Sequence, residues 1–152
     1  GPVLEGGCFC GAVRYQINGH LQAARACHCS RCRKAFSGAS SAYAALSGGG
    51  TLTWESGAEQ LARYRRKNDW GLAFCGVCGS TLCGILNGTI HGVALGSGDG
   101  DPGVGLALHL LVASKAPWDH IVVTQAPHGK RVQSRVTADL SEFHPQATLH
   151  KE

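Results

Sequence analysis

The chain has 152 residues, of which 43% are hydrophobic and 16% charged, a balance typical of one globular domain covering residues 1–152. No apolar run approaches the roughly 20 residues that a membrane helix needs, so we expect no membrane partner. The net charge is only +4, and the one short basic cluster does not form the broad stripe typical of nucleic-acid binding. We therefore expect no nucleic-acid partner, and the composition leaves the oligomeric state open. The basic cluster consists of Arg63, Arg65, Arg66 and Lys67.

Short β-rich runs separated by turn residues fill most of the chain, whereas helical periodicity is weak. In chain order, the predicted strands cover residues 12–17, 41–46, 51–54, 61–64, 70–74, 89–95, 106–112 and 121–124. The 22 glycines fit the turns between these strands. The pattern predicts an all-β fold. We expect the three tryptophans to supply core area because aromatic rings are large apolar units, with a place in a ligand pocket as the alternative for Trp118.

Seven of the eight cysteines fall into three close groups. The groups are Cys8 with Cys10, Cys27 with Cys29 and Cys32, and Cys75 with Cys78. A disulfide between residues only two apart would be strained, because the bridge requires a specific separation and direction of the β-carbons. Thiolates that share a tetrahedral zinc have no such restriction, since the metal lies between them. The spacing therefore predicts metal binding rather than a disulfide framework.

Two of the groups can form one closed metal site. A structural zinc needs four protein ligands, and the pair Cys8 and Cys10 together with the pair Cys75 and Cys78 supplies four. Such a site would join the start of the chain to its middle. Metal binding there would contribute directly to folding.

The third group of cysteines allows two interpretations, an open metal site and a closed one. Three thiolates from Cys27, Cys29 and Cys32, with one position left open, are the arrangement of a reactive zinc that accepts water or a thiol. Cys83 could instead supply a fourth ligand and close the site. We favour the open site by the rule that catalytic zinc keeps one position free, and the main support for it comes from the motifs described below.

The start of the chain gives an expectation about its compartment. Gly1 and Pro2 resemble a scar left by protease cleavage, and the chain contains no methionine. The basic and apolar segments of a secretory signal do not appear at this start. We therefore expect few disulfides and a reducing, cytoplasmic location.

Four ordered motifs resemble the glutathione-dependent formaldehyde-activating enzyme family, whose domain is shared with centromere protein V. They are GGCFCGAVRY at 6–15, CHCSRCRK at 27–34, FCGVCGS at 74–80, and HLLV followed by SKAPW at 109–118. The resemblance spans roughly residues 6–122. It implies an Mss4-like all-β fold with small antiparallel sheets clasped by a structural zinc.

The same resemblance implies two zinc ions per chain. The structural zinc would lie on Cys8, Cys10, Cys75 and Cys78, and the catalytic zinc on Cys27, Cys29 and Cys32, which makes the latter three the catalytic residues. Cys83 is not a ligand that the family pattern requires. The loop at 96–102 reads GSGDGDP, where the family often carries a Leu-Asp-Asp-Pro-like stretch.

Glutathione or its adduct is the small-molecule thiol partner that the resemblance implies. Arg31, Arg33 and Lys34 lie beside the third cysteine group, where they could receive the two carboxylates of glutathione. Outward-facing charge that offsets the thiolates is the alternative for each of them. His28 lies between two ligands, so we expect a supporting hydrogen bond rather than ligation. For His109 the sequence favours a structural histidine, with a pocket residue as the alternative.

Two functions follow from the resemblance. The first is a zinc-dependent carbon–sulfur lyase that acts on glutathione adducts, as in the formation of S-hydroxymethylglutathione from glutathione and formaldehyde. The second is a non-catalytic zinc module that binds a thiol, a protein or a chromatin partner. The three-cysteine group without a compulsory fourth ligand favours the enzyme, whereas a basic extension would favour the binding module.

Overall fold

A computed structural model describes residues 2–66 and 70–121, together with the backbone of residues 135–137. The chain divides into two compact units, the first made of residues 1–23 and 43–105, the second of residues 24–42 and the chain from Leu106 onward. Strands dominate the described residues, which confirms the all-β prediction. The single domain over residues 1–152 stays a prediction.

The described residues form eleven strands and one α-helix. The strands are β1 Leu4–Gly7, β2 Arg14–Asn18, β3 Ala24–Cys27, β4 Ser41–Ala45, β5 Thr51–Ser56, β6 Leu61–Arg65, β7 Trp70–Cys75, β8 Thr81–Leu86, β9 Thr89–Ala94, β10 Leu106–Leu110 and β11 Arg135–Thr137. The helix, α1, is Ser30–Phe36. Short 3-10 turns cover Ala58–Gln60, Leu95–Ser97 and Val112–Ser114.

Antiparallel pairing builds the first unit. β1, β2 and β5 form a three-stranded sheet in that order, and Leu4 lies opposite Ile17 in its first pair. A second run of antiparallel pairs has the order β4-β9-β8-β7-β6. The two turns that carry cysteine pairs connect β1 to β2 and β7 to β8, so each pair lies where one strand reverses into the next.

The core of the three-stranded sheet follows from the alternation of β2. Val13, Tyr15 and Ile17 are fully buried, whereas Arg14 and Gln16 between them are half-buried, as expected when side chains alternate across a strand. The Tyr15 ring also meets Trp54 edge to face, with ring centroids 6.1 Å apart. Tyr15 is therefore the largest side chain that this sheet buries completely.

A tight hairpin joins β8 to β9. Asn87 and Gly88 form its turn with φ angles of 52° and 78°, and positive φ at both central residues is the pattern of a type I′ turn. The Asn-Gly dipeptide between two apolar runs explains the turn, because both residues tolerate this backbone region. β8 is absent from the predicted strands, although this dipeptide indicates a hairpin there.

Parallel pairing distinguishes the second unit. β10 pairs in parallel with β3 on one side and β11 on the other, and Leu110 lies opposite Cys27. All four residues of β3 are buried, as is typical of strands covered on both faces. The β-rich fold therefore contains a mixed sheet beside its antiparallel pairs, within the predicted all-β class.

The short helix α1 follows directly from the cysteine spacing. Cys29 is its N-cap, and the Cys29 Sγ accepts a hydrogen bond from the backbone N–H of Cys32 at 3.4 Å. The helix ends at Ser37, which has φ 52° and donates its backbone N–H to the carbonyl of Lys34. A helix of this length has too few turns to show the periodicity on which sequence prediction depends.

Some predicted features differ in the structure. The prediction missed β1, β3, β8, β11 and α1. Ile121 lies outside any strand, and the remainder of the predicted strand at 121–124 lies outside the described residues. Trp118 is 67% exposed, so its predicted core role was wrong, whereas Trp54 and Trp70 are partly buried.

The basic cluster begins on β6. Arg63 and Arg65 are exposed on that strand, Arg66 follows them, and Lys67 lies outside the described residues.

Among the helices that the described ranges contain, none has the length and apolar character to cross a membrane.

Candidate functional site

Four cysteines from two hairpin turns come together in the first unit. The Sγ atoms of Cys8, Cys10, Cys75 and Cys78 all lie within 4.8 Å of one another. Cys8 and Cys10 are 3.6 Å apart at Sγ, and Cys10 and Cys75 are 3.9 Å apart. Four sulfurs at about 2.3 Å from one tetrahedral zinc lie roughly 3.8 Å from each other, so this spacing fits such an ion.

Glycines and backbone hydrogen bonds fix the conformation of the two cysteine turns. Gly11 and Gly79 have φ angles of 82° and 84°, which let the chain reverse its direction directly after each cysteine pair. The backbone N–H of Val13 donates to Cys8 Sγ at 3.2 Å, and that of Val77 donates to Cys75 Sγ at 3.3 Å. Such donors complement the negative charge that a sulfur bears when it binds a metal.

Ser80 reinforces one ligand of the four-cysteine cluster. Its hydroxyl lies 3.2 Å from Cys78 Sγ, and hydrogen bonds from its side chain and its backbone lower the pKa of the Cys78 thiol to about 5. The same hydroxyl accepts the backbone N–H of Phe9 at 2.9 Å. Ser80 thus links the two cysteine turns, and nothing in the sequence had singled it out.

Three further cysteines meet in the second unit. The Sγ atoms of Cys27, Cys29 and Cys32 lie within 4.8 Å of one another, at the end of β3, the N-cap of α1 and its first turn. All three residues are at most 1% exposed. Leu110 is buried with them, and the partly buried Leu108 and Leu111 pack against the group.

The buried sulfurs of this second cluster suppress ionisation of one another. The Cys29 thiol raises the pKa of Cys27 to about 12, and Cys27 and Cys29 together raise the pKa of Cys32 above its usual range. Three thiolates in such a space require a cation, because buried like charges repel strongly. A soft divalent ion such as zinc fits the three sulfur donors.

A pair of histidines adjoins the three-cysteine cluster. The Nε2 of His28 lies 2.9 Å from the Nδ1 of His109, and the ring centroids are 5.1 Å apart. Burial lowers the pKa of both rings, and His109 lowers that of His28 further. One ring must donate and the other accept, so the contact requires at least one neutral imidazole. The supporting hydrogen bond expected for His28 is thus present.

Cys83 belongs to neither cluster found among the described residues. It lies on β8 in the first unit, opposite Ala73 and Val93, and is completely buried. Burial raises the pKa of its thiol to about 12. These properties are those of a small core residue whose sulfur stays protonated.

The three basic residues that were predicted to bind glutathione all lie on α1, beside the three-cysteine cluster. Arg31 and Arg33 are half-buried and Lys34 is exposed. The Nε of Arg33 donates to the carbonyl of His28 at 3.3 Å, so this guanidinium anchors the cysteine loop. The predicted contacts of these residues with glutathione stay predictions.

A family profile described as glutathione-dependent formaldehyde-activating enzyme matches residues 3–105. The chain belongs to this family. The resemblance inferred from the motifs is thereby confirmed. Members of the family have the Mss4-like fold, in agreement with the β-rich units described above. The matched range contains all seven clustered cysteines and ends before His109.

Two proteins are similar to part of this glutathione-dependent formaldehyde-activating family member. A curated Halomonas elongata protein named for the same family is 38% identical over 87 residues, which are 53% of this chain and 54% of that protein. The chain thus spans about half the length of the curated relative it matches. A crystal structure of a Rhodobacter sphaeroides protein has a TM-score of 0.48 and 30% identity, and the match covers 68% of this chain and 100% of that one.

Residues 96–99, the first part of the loop at 96–102, border a cavity in the first unit. The cavity has a volume of about 330 Å³ and is lined by residues that include Phe9, Ser80, Ser97 and Asp99. The Asp99 carboxylate forms an ion pair with Arg14. This pair was not predicted, because the two residues are 85 positions apart in the chain.

Proposed function

We propose that this chain is a zinc-dependent carbon–sulfur lyase that acts on glutathione adducts and interconverts S-hydroxymethylglutathione with glutathione and formaldehyde. One observation carries the proposal. Among the described residues, the cluster of Cys27, Cys29 and Cys32 includes three candidate ligands and no fourth from Cys, His, Asp or Glu. Three protein ligands are the number that a reactive zinc uses when its fourth position receives a substrate.

Two zinc ions per chain are part of the proposal, one structural on the four-cysteine cluster and one catalytic on the three-cysteine cluster. The catalytic zinc, when bound, would supply an open position that lowers the pKa of a thiol placed there. The chain's own contribution is to hold three sulfurs together at the end of β3, at the N-cap of α1 and in the first turn of α1. Leu108, Leu110 and Leu111 restrict water beside them, which strengthens electrostatic interactions in the site.

The reaction is an addition with a simple balance of bonds. In the forward direction a bond forms between the glutathione sulfur and the formaldehyde carbon, the C=O bond becomes C–OH, and the thiol proton ends on that oxygen. In reverse the C–S bond breaks, and the hydroxyl proton returns to the thiol. This addition proceeds without a catalyst, so the protein mainly needs to concentrate and orient the partners.

The basic face of α1 supports glutathione as the thiol. Glutathione has two carboxylates, and guanidinium groups bind carboxylates through two parallel hydrogen bonds. We assign these contacts to Arg31 and Arg33, with Lys34 contributing a longer-range positive charge. Arg33 uses its Nε on the carbonyl of His28, which leaves its terminal nitrogens for a ligand. A reducing cytoplasm, where glutathione is abundant, fits both the substrate and the free cysteines.

The test is the rate of exchange between glutathione and S-hydroxymethylglutathione at equilibrium with formaldehyde, measured by NMR exchange spectroscopy. We expect the zinc-loaded protein to accelerate exchange in proportion to its concentration, and Cys29→Ser to lose that acceleration. Free zinc at the same concentration is the control. Glutathione that alters the zinc coordination without any acceleration would instead support the non-catalytic, thiol-binding module.

A further inference from the structure

His28 lies between two members of the three-cysteine cluster, Cys27 and Cys29, so its conformation affects the separation of their sulfurs. Its side chain is buried, with 2% exposure, so its ring has a defined environment. Its backbone N–H donates to the carbonyl of Leu110 at 2.9 Å, and its own carbonyl accepts from Arg33 Nε at 3.3 Å. Both backbone groups of this residue are therefore hydrogen-bonded, and its ring is the third point at which the segment between Cys27 and Cys29 can be anchored.

His109 supplies the polar contact that fixes the ring. The distance of 2.9 Å between His28 Nε2 and His109 Nδ1 is that of a well-formed hydrogen bond. The other nitrogen of His28, Nδ1, is buried near the backbone of Ala39 but makes no hydrogen bond within the described part of the chain. If His109 were removed, the buried imidazole would lose its one well-formed ring contact, and such a loss is costly for a buried polar group.

Packing alone does not explain a histidine at position 109. β10 reads Leu-Ala-Leu-His-Leu, and its other members are apolar side chains that pack without polar partners. The parallel register places His109 opposite Ala26 and Leu110 opposite Cys27, so β10 runs directly beside the residues that lead into the cluster. A leucine would fill much of the same space. The imidazole adds the hydrogen bond, and with it a fixed orientation of the neighbouring ring.

We propose that His109 is a positioning residue for the three-cysteine cluster. By holding the His28 ring, it fixes the backbone between Cys27 and Cys29 and keeps their sulfurs at the spacing that a metal ion requires. Residues that orient the ligands of a metal typically change its affinity by 10- to 100-fold when they are replaced. The inference rests on the proposed function only for its consequence in catalysis, because its direct effect is on metal affinity.

The test compares His109→Leu with His109→Asn in the full chain. Leucine keeps the apolar volume and removes the hydrogen bond, whereas the asparagine amide reaches the position of Nδ1 and can restore it. Cobalt titration in competition with a chelator measures the two metal affinities by the sulfur-to-cobalt charge-transfer absorption. Cys29→Ser, which leaves only the four-cysteine cluster intact, identifies the signal of each site.

We expect His109→Leu to weaken metal binding at the three-cysteine cluster by about 10- to 100-fold, with the four-cysteine cluster unchanged. His109→Asn should recover most of that affinity. Wild-type affinity in His109→Leu would overturn the proposal, as would equal losses in both variants, since equal losses indicate shape rather than hydrogen bonding. The cobalt titration does not depend on the exchange assay with formaldehyde. The metal affinities can therefore be interpreted even if the proposed reaction is not observed.

A second measurement covers the case in which His109→Leu does not fold. In the wild-type protein labelled with ¹⁵N-histidine, long-range proton–nitrogen spectra report which ring nitrogen carries each proton. We expect one ring proton, protected from exchange, to couple between His28 Nε2 and His109 Nδ1. Two rings that both exchange rapidly with solvent would overturn the proposal.

Discussion

The hydroxyl of Tyr15 donates a hydrogen bond to the Oγ of Ser97 at a distance of 2.7 Å. The direction is settled by Ser97, whose own hydroxyl donates to the carbonyl of Ala94 at 2.7 Å and therefore accepts from the tyrosine. The bond connects the fully buried ring of β2 to the turn Leu95–Ser97. That turn leads into the loop where Asp99 donates its backbone N–H to the carbonyl of Glu5.

The first prediction follows from the ionisation of Tyr15. Burial raises its pKa to about 12, from about 10 in the unfolded chain. The folded state then holds the proton more tightly, so the contribution to stability is complete below pH 10 and is lost as the pH rises from about 10 to 12. We expect the free energy of unfolding to fall by up to about 2 kcal/mol over that window.

The variant Tyr15→Phe isolates this contribution. It should be less stable by roughly 1 kcal/mol at pH 7, because a buried hydrogen bond is lost, yet show a flatter stability curve between pH 10 and 12. Tyr64→Phe is the control, since Tyr64 is 54% exposed. Urea unfolding at a series of pH values provides the measurement. Equal slopes for wild type and Tyr15→Phe would contradict the assignment.

The second prediction concerns Gly57, where the chain enters the 3-10 turn Ala58–Gln60. Its φ of 76° is unfavourable for other residues, and a β-carbon there would overlap the carbonyl oxygen of Ala12. We expect Gly57→Ala to destabilise the fold by more than about 1 kcal/mol, since both strain and overlap oppose it. Gly84→Ala is the matched control, because nothing lies within 4 Å of a β-carbon at that position on β8. Melting temperatures of the two variants should separate clearly, and similar values would refute the argument.

The third prediction addresses the four-cysteine cluster. Cys75 is fully buried, its sulfur lies 3.9 Å from that of Cys10, and it accepts the backbone N–H of Val77. If the cluster holds a structural zinc, Cys75→Ser should lower the soluble yield and reduce the zinc content from two ions per chain toward one, because metal binding there contributes to folding. Elemental analysis of chelator-free protein and thermal melting are the measurements. An unchanged melting curve would contradict a structural role for this cysteine.

The cysteine groups could be predicted from the sequence because ligand spacing is a local property. Cys8 with Cys10 and Cys75 with Cys78 each form one short turn, and counting four ligands was enough to combine the two pairs, which the structure brings together. The strand prediction succeeded for similar reasons in β2, where alternation of buried residues leaves a clear period of two.

Features that depend on distant contacts could not be predicted in the same way. The hydrogen bond between His28 and His109 joins residues 81 positions apart, and no local pattern marks either residue as the partner of the other. The parallel pairing of β3 with β10 has the same origin, because the register is set by burial of the whole unit. The helix α1 was not predicted, because its seven residues begin at a cysteine N-cap and show no amphipathic pattern that would indicate a helix.

The fourth prediction tests whether the three-cysteine cluster leaves a metal position open. Cys29→Ser should abolish thiol-dependent activity and metal binding at this cluster while leaving the fold largely intact, because one of only three sulfur ligands is lost. Cys83→Ser should have little effect on metal content, since Cys83 lies on β8 outside both clusters of the described residues. Serine differs from cysteine by one atom, which makes the two variants a matched pair.

X-ray absorption at the zinc edge measures the outcome through the average number of sulfur ligands per zinc. Two closed sites would give an average of four sulfurs, whereas one closed and one open site give an average of about 3.5 that rises when glutathione adds its sulfur. We expect the lower value in wild type and in Cys83→Ser, with an increase on addition of glutathione in both. In Cys29→Ser the response to glutathione should disappear, because the site that receives the thiol no longer holds its metal. Sulfur ligation that is complete without glutathione and falls in Cys83→Ser would show instead that Cys83 closes the site, and the main support for an enzyme would be lost.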